Sequence, residues 1–201
     1  MPQEHYFSAS PDSPATIREI SFRVADREFM VQAASGTFSA SKLDPGTSVL
    51  LSKHEEFPDS GNVLDLGCGW GPISIAIASL QPDTKVWALD INARSLELAT
   101  SNAARLGLSN FKAVTAEQIP ADLRFDAIWS NPPIRIGKAA LHELLKTWLP
   151  RLESGGRAML VVQKQLGADS LLAWIQSEFP ELTSSRFSTD KGFRVLEITR
   201  D

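Results

Sequence analysis

Asn131-Pro132-Pro133-Ile134 stands directly behind the apolar run Phe125 to Ser130. Two successive prolines restrict the backbone, so the Asn131 side chain and the Pro132 carbonyl are held in fixed directions. Fixed acceptors suit a planar amine. The lone pair of such a nitrogen is delocalised, and two acceptors that take its hydrogens can hold it pyramidal toward an electrophile. No titrating base is needed for the attack, because orientation and preorganised dipoles carry the rate. An ordinary loop is the plain alternative, since Asn-Pro and Pro-Pro both punctuate a chain.

A second group of residues could hold the electrophile. In V-L-D-L-G-C-G-W-G-P (Val63 to Pro72) an alternating apolar stretch containing Asp65 runs into Gly67, Gly69 and Gly71, and a helix-period run follows. Strand, tight turn and helix in that order make a nucleotide site, because glycine admits positive φ and close ligand approach, and helix-opening N–H groups face the ligand. The dinucleotide fingerprint needs G-x-G-x-x-G, but Pro72 occupies the third glycine position, so NAD is a mismatch. Asp90 closes the next apolar strand about twenty residues on, where a carboxylate reaches ribose hydroxyls. The other reading of Asp90, a helix cap, is better served by Asn92.

Length and charge exclude several classes. The chain has 201 residues, 43% of them hydrophobic, and a net charge of −4, which suits one globular domain with only a local basic surface for nucleic acid. Cys68 is the single cysteine, and the three histidines show no metal-ligand spacing. A reducing, cytoplasmic location is expected, with no metal and no membrane partner, because no leader-like start and no apolar run of roughly twenty residues is present.

The elements that position these groups alternate. Residues 1–19 read as an extended lead-in, and 20–201 as a single domain. Within it, 20–44 forms a β-hairpin (Ile20 to Val24 with Glu28 to Ala33) over one end of the sheet, then a lid-like loop. Helices are expected after Pro72, from Ala93 to Leu106, from Lys138 to Leu152 and from Asp169 to Phe179. Strands are expected at Lys85 to Leu89, Phe111 to Thr115, Phe125 to Ser130, Arg157 to Gln163, Arg186 to Thr189 and Phe193 to Thr199. Strand–helix alternation predicts a mostly parallel sheet with helices on both faces, and the tight Lys191-Gly192 connection forces one strand antiparallel. Asp44-Pro45 starts a short helix, while Phe38, Ser39 and Lys42 before it can belong to structure or to a lid.

The glycine motif, Asp90 and Asn-Pro-Pro at these intervals resemble the class I S-adenosylmethionine (SAM) methyltransferases that modify amino nitrogens. F-S-A-S-K-L-D-P-G-T-S-V-L-L, N-P-P-I-R-I-G-K, V-V-Q-K-Q-L-G-A and the terminal K-G-F-R-V-L resemble more narrowly the catalytic half of the small-subunit ribosomal RNA guanine-N2 methyltransferases and their small stand-alone relatives. The resemblance runs from about Ile20 to the end. It implies a Rossmann-like, seven-stranded α/β sheet with an antiparallel edge strand, SAM as cofactor, and methyl transfer to an exocyclic amine of RNA, most specifically guanine N2 of ribosomal RNA. Asn131, Pro132 and Pro133 would act at the methyl acceptor. Thr47, Asp65, Gly67, Gly69, Gly71, Asp90, Ile91, Glu117 and Asn131 would hold the cofactor.

Phe38, Lys42, Ile134, Arg135, Lys138 and Lys164 would meet the acceptor, the four basic ones as one positive patch. Two departures stand out. Ile134 occupies a position where many relatives carry a stacking aromatic, for which Phe38, Trp70 or Phe193 could substitute, and Glu117 replaces the usual Asp or Asn beside adenine. Other targets for the same residues are a protein glutamine amide, or none, in a non-catalytic SAM-binding subunit. Monomer and homodimer are both open.

Overall fold

The computed structural model describes residues 16–201, so the lead-in expected over 1–19 lies mostly outside the described residues, and its last three positions are already strand. A hairpin opens the described chain: β1 (Ile17–Val24) and β2 (Arg27–Ala34) pair antiparallel, Phe22 opposite Phe29. Seven strands follow, β3 (Gly61–Leu66), β4 (Thr84–Leu89), β5 (Phe111–Val114), β6 (Phe125–Ser130), β7 (Leu152–Gln163), β8 (Thr183–Asp190) and β9 (Phe193–Thr199). They form one sheet in the order β5-β4-β3-β6-β7-β9-β8. The five strands β3 to β7 are parallel, and β9 runs antiparallel to both its neighbours. Lys191 (φ 47) and Gly192 (φ 81) make the left-handed two-residue turn that a tight hairpin requires.

Among the described residues five α-helices cover the sheet: α1 (Pro45–Leu51), α2 (Pro72–Leu80), α3 (Ala93–Arg105), α4 (Lys138–Trp148) and α5 (Ala168–Glu178). Two apolar clusters lie on its two faces. Val49, Leu50, Ile73, Ile77 and Leu98 pack with Val63, Trp129 and Val161 on one, and Leu141, Leu145, Leu171 and Ile175 pack with Leu64, Ile128 and Leu160 on the other. Strand alternation sends consecutive residues to opposite layers, which is why the parallel strands read as continuous apolar runs.

The hairpin does not sit over an end of the sheet. Ile20, Phe22, Val24, Phe29 and Val31 are all buried in the first cluster, so the hairpin's inner face needs an apolar floor and finds it on the helical layer. Each large side chain buried this way stabilises by roughly 1.5–3 kcal/mol. Asn102 of α3 fixes the register: its Oδ1 accepts the Gln32 N–H at 2.7 Å, and its Nδ2 donates to the Gln32 carbonyl at 2.8 Å and the Trp70 carbonyl at 3.1 Å. Arg27 adds a bond to the Ser79 carbonyl of α2. Asn102→Ala would leave buried backbone groups unpaired, at about 1–3 kcal/mol each.

Some boundaries also differ from the sequence reading, among them β8, which begins at Thr183 and not Arg186. Helix α4 ends at Trp148, short of the expected Leu152, because Pro150 lacks the N–H the next turn needs. β7 begins earlier than Arg157, at Leu152, with Gly155-Gly156 as an irregularity inside it. A Cβ on Gly156 would stand 2.8 Å from the Glu153 carbonyl.

Candidate active site

The carboxyl edge of the parallel strands opens on a cavity of about 640 Å3, with an annex of about 20 Å3 beneath Phe38 and Thr47. Gly67, Asp90, Ile91, Ser95 and Ala116 line one side, and Asn131, Pro132, Pro133, Ile134 and Arg135 another. Phe38, Asp44, Gln163 and Phe193 complete the wall between them. The glycine turn and Asn-Pro-Pro thus meet in one space, as two groups separated by sixty residues must if they share a reaction.

Asp90 is engaged on both oxygens. Oδ2 accepts the Gly69 N–H at 2.8 Å and Oδ1 the Asn92 N–H at 2.9 Å; each oxygen keeps a lone pair for a further donor. Burial pushes its carboxyl above the usual range, against the pull of those N–H groups. Asn92 caps α3 by accepting the Ser95 N–H, so capping and ligand duties are divided between the two residues. The glycine turn differs from its expected form. Gly67 and Cys68 N–H groups both donate to the Leu89 carbonyl at 2.9 Å, and Gly71 N–H to the Cys68 carbonyl, so these donors do not face the cavity. What the turn offers a ligand is the absence of a Cβ at Gly67 (φ 79) and Gly69 (φ 57), with Pro133 and Phe38 3.8 and 4.0 Å from where those atoms would stand.

Asp65 and Gly71 lie beneath the cavity, outside its walls. Asp65 is 0% exposed; its Oδ2 accepts Ser74 N–H at 2.9 Å and Ser74 Oγ at 2.7 Å, which caps the start of α2. Its Oδ1 has no hydrogen-bond partner among the described residues. Burial therefore raises its pKa to about 7. A Cβ on Gly71 would press on Ala99 at 3.2 Å, so this glycine serves the contact of α2 with α3.

Asn131 follows β6 and points to the layer of α1. Its Nδ2 donates to Asp44 Oδ2 at 2.8 Å and to Thr47 Oγ1 at 3.0 Å. A carboxylate only accepts, so the amino side of the amide must face it; both amide hydrogens are consumed, and Oδ1 remains as an acceptor. Asp44 Oδ2 also takes the Thr47 N–H at 3.0 Å as the N-cap of α1. The next acceptor is equally fixed: Ile134 N–H donates to the Pro132 carbonyl at 2.8 Å across Pro133 (φ −74, ψ 71), an inverse γ-turn that orients the carbonyl and leaves its second lone pair.

The remaining expected residues divide. Arg135 and Ile134 line the cavity; Lys42, Lys138 and Lys164 are exposed and line neither space, so the four do not form one patch on the wall. Lys138 and Lys164 begin helical turns and Lys42 lies in the loop before α1, where long charged side chains reach more water by pointing outward. Glu117 is exposed beside the wall and Ala116 takes its place there. Trp70 touches only the annex; it is 1% exposed, its ring 5.9 Å from Phe22, which leaves Phe38 and Phe193 as cavity aromatics. Sequence reading did not single out Gln163, although its place at the end of a parallel strand marks the same edge.

Phe38 sits in a loop fastened at both ends. Asn92 Nδ2 and Arg94 Nη1 donate to the carbonyls of Gly36 and Ser35, and Asp44 ties the far end to Asn131. Among the described residues there is no group of three or more His, Cys, Asp or Glu side chains fit for a metal, and no helix long and apolar enough to cross a membrane.

The strand order, with a glycine turn after β3 and a carboxylate after its neighbour β4, defines the class I SAM-dependent methyltransferase fold. Residues 28–197 match the family model of the methyltransferase small domain, and the chain belongs to that family, whose cofactor is SAM. It is 32% identical over 200 residues to the Bacillus subtilis protein YbxB, covering 98% of each chain. It is 34% identical to ribosomal RNA small subunit methyltransferase C of Aeromonas hydrophila, over 86% of this chain and 50% of that one. The chain thus spans about half the length of that methyltransferase. Its fold matches a T. thermophilus 16S rRNA N2 methyltransferase in complex with AdoMet and guanosine, with a TM-score of 0.80 and 24% identity over 95% of this chain and 52% of that one.

Proposed function

We propose that this chain is a SAM-dependent methyltransferase of ribosomal RNA whose acceptor is the exocyclic N2 of a guanine. One observation carries the reading: with both Nδ2 hydrogens of Asn131 committed to Asp44 and Thr47, Oδ1 is left as an acceptor one residue before the fixed Pro132 carbonyl, and both residues line the cavity. Two acceptors at one place bind the two hydrogens of an amine and turn its lone pair outward. SAM supplies an electrophilic sulfonium methyl. Asp90 would accept from the ribose hydroxyls, while Gly67 and Gly69 let the methionine tail approach the backbone. The amine nitrogen forms the N–C bond as the C–S bond breaks to a thioether, and the surplus proton leaves to solvent. The names of the relatives, with ribosomal RNA in one and guanosine in the other, support this acceptor.

Ile134 in the cavity wall favours a second reading. It cannot stack on a base, and a protein glutamine amide would need no stacking. Methyl-labelled SAM incubated with ribosomal subunits separates the two: label released by ribonuclease as N2-methylguanosine upholds the first reading, and label released only by protease replaces it with the second.

A further inference from the structure

Gln163 is a polar cavity residue that the reading so far leaves unused. It ends β7 at the edge where Asn131 follows β6, and it is half-buried in the wall. Ser130 pairs with Leu160, which sets Asn131 beside Val161 and Gln163 two residues further along the neighbouring strand. Trp129 and Val161, each two positions back, lie in the same cluster, so alternation points Asn131 and Gln163 to one face. One interstrand step and two residues of rise separate their α-carbons by about 8 Å, a distance that a purine can bridge with side chains on both sides.

The surroundings of Gln163 are built. Phe193 is its partner across β9, and that ring lies so close to Gly46 that a Cβ there would meet it at 3.0 Å. Lys164 N–H donates to the Gly192 carbonyl at 2.9 Å, which carries the pairing one residue past Gln163 and holds its backbone still. Asn131, Asp44 and Asp90 all spend polar atoms on the protein. Among the described residues no hydrogen bond claims the Gln163 amide.

We propose that Gln163 determines the choice of base by reading the Watson–Crick edge of guanine; this rests on the guanine acceptor proposed above. With N2 on Asn131 and Pro132, the next groups along that edge are N1–H, a donor, and O6, an acceptor. A primary amide presents one acceptor beside one donor and matches both without charge. Adenine and cytosine place an acceptor next to their amine, so an amide turned over to donate gains one bond from either where guanine gains two. Phe193 supplies the face for stacking that Ile134 lacks.

The test uses the intact protein saturated with S-adenosylhomocysteine and compares the affinities of guanosine and 2-aminopurine riboside, which keeps the 2-amine but makes N1 an acceptor and carries only hydrogen at C6, so that the amide in either orientation gains at most one bond. Wild type should prefer guanosine by about twofold to tenfold, the worth of one net hydrogen bond. Gln163→Leu should bring that ratio near one. Gln163→Met, which keeps the length of the side chain without its donor and acceptor, should do the same, and retained S-adenosylhomocysteine affinity shows that the variants are folded. S-adenosylhomocysteine affinity should be unchanged in both variants. Guanosine bound with the wild-type preference intact in both variants overturns the role of Gln163 alone. A wild type that fails to bind guanosine overturns the guanine reading and this inference with it.

Discussion

Asn131 and Asp44 are joined by a 2.8 Å hydrogen bond, and the Asp44 oxygen that makes it is the one that caps α1 through the Thr47 N–H. One atom therefore starts a helix and orients the amide at the proposed acceptor. A change at Asp44 reaches the chemistry without touching the substrate.

Asp44→Ser separates these duties. Serine still caps, but its shorter side chain does not reach Asn131. Thermal stability should change by less than about 1 kcal/mol, while kcat falls roughly tenfold to a hundredfold with SAM affinity retained. Wild-type kcat in the variant would show that the Asp44 bond is structural only.

Asn131→Ala removes the acceptor itself. Turnover should drop by about a hundredfold or more, as for loss of a preorganised partner, and calorimetry should find most SAM affinity intact. Activity within a few-fold of wild type rejects the acceptor role.

Asp90 should give cofactor binding a pH dependence. The carboxylate must be ionised to accept from ribose, and burial has raised its pKa, so SAM affinity should weaken on acidification at a pH above the ordinary carboxylate range. Asp90→Ala should cost about 1.5–3 kcal/mol of binding at neutral pH and flatten the profile. A profile shared by wild type and variant would assign it elsewhere.

Asp65 should shape stability instead. Its pKa rises from 3.8 to about 7 on folding, so the native state holds a proton that the unfolded chain releases. The resulting stabilisation is complete below about pH 4 and is lost as pH climbs through about 7, on the order of 4 kcal/mol by linkage. Asn at this position keeps an acceptor for Ser74 and does not titrate. Melting curves should show wild type losing stability relative to Asp65→Asn between about pH 4 and 7; parallel curves would refute the shift.

Arg135 is the cation on the wall. Arg135→Ala should lower methylation of ribosomal subunits and reduce the salt slope of RNA binding by about 0.7, one single-strand phosphate, whereas Lys138→Ala should do less. Equal effects would restore the wider patch.

Much of this was legible because it is periodic or local. Strand alternation, the tight Lys191-Gly192 connection and the Asp44-Pro45 cap announced the sheet and helices, and the spacing of Asp90 from the glycines placed it at the cavity. Where the structure sets a residue away from the cavity wall, distant packing decides. The turn's N–H groups are absorbed by Leu89 and Asp90; neither acceptor shows its direction in one dimension. Asp65 and Gly71 look like ligand groups by motif, yet Ser74 and Ala99 explain them. Lys42, Lys138 and Lys164 belong to the right edge, but edge position does not say which way a long side chain points.

The two halves of the cavity also differ in how far along the chain their contacts reach. Gly69 and Asp90 are 21 residues apart, whereas Asn131 is bonded to residues 84 and 87 positions earlier, with β3 to β6 between them. Loop-closure entropy grows with separation, and contacts across several parallel crossovers form late. A refolding chain should therefore regain affinity for its cofactor before it regains methyl transfer, and a chain arrested midway would be a binder without turnover.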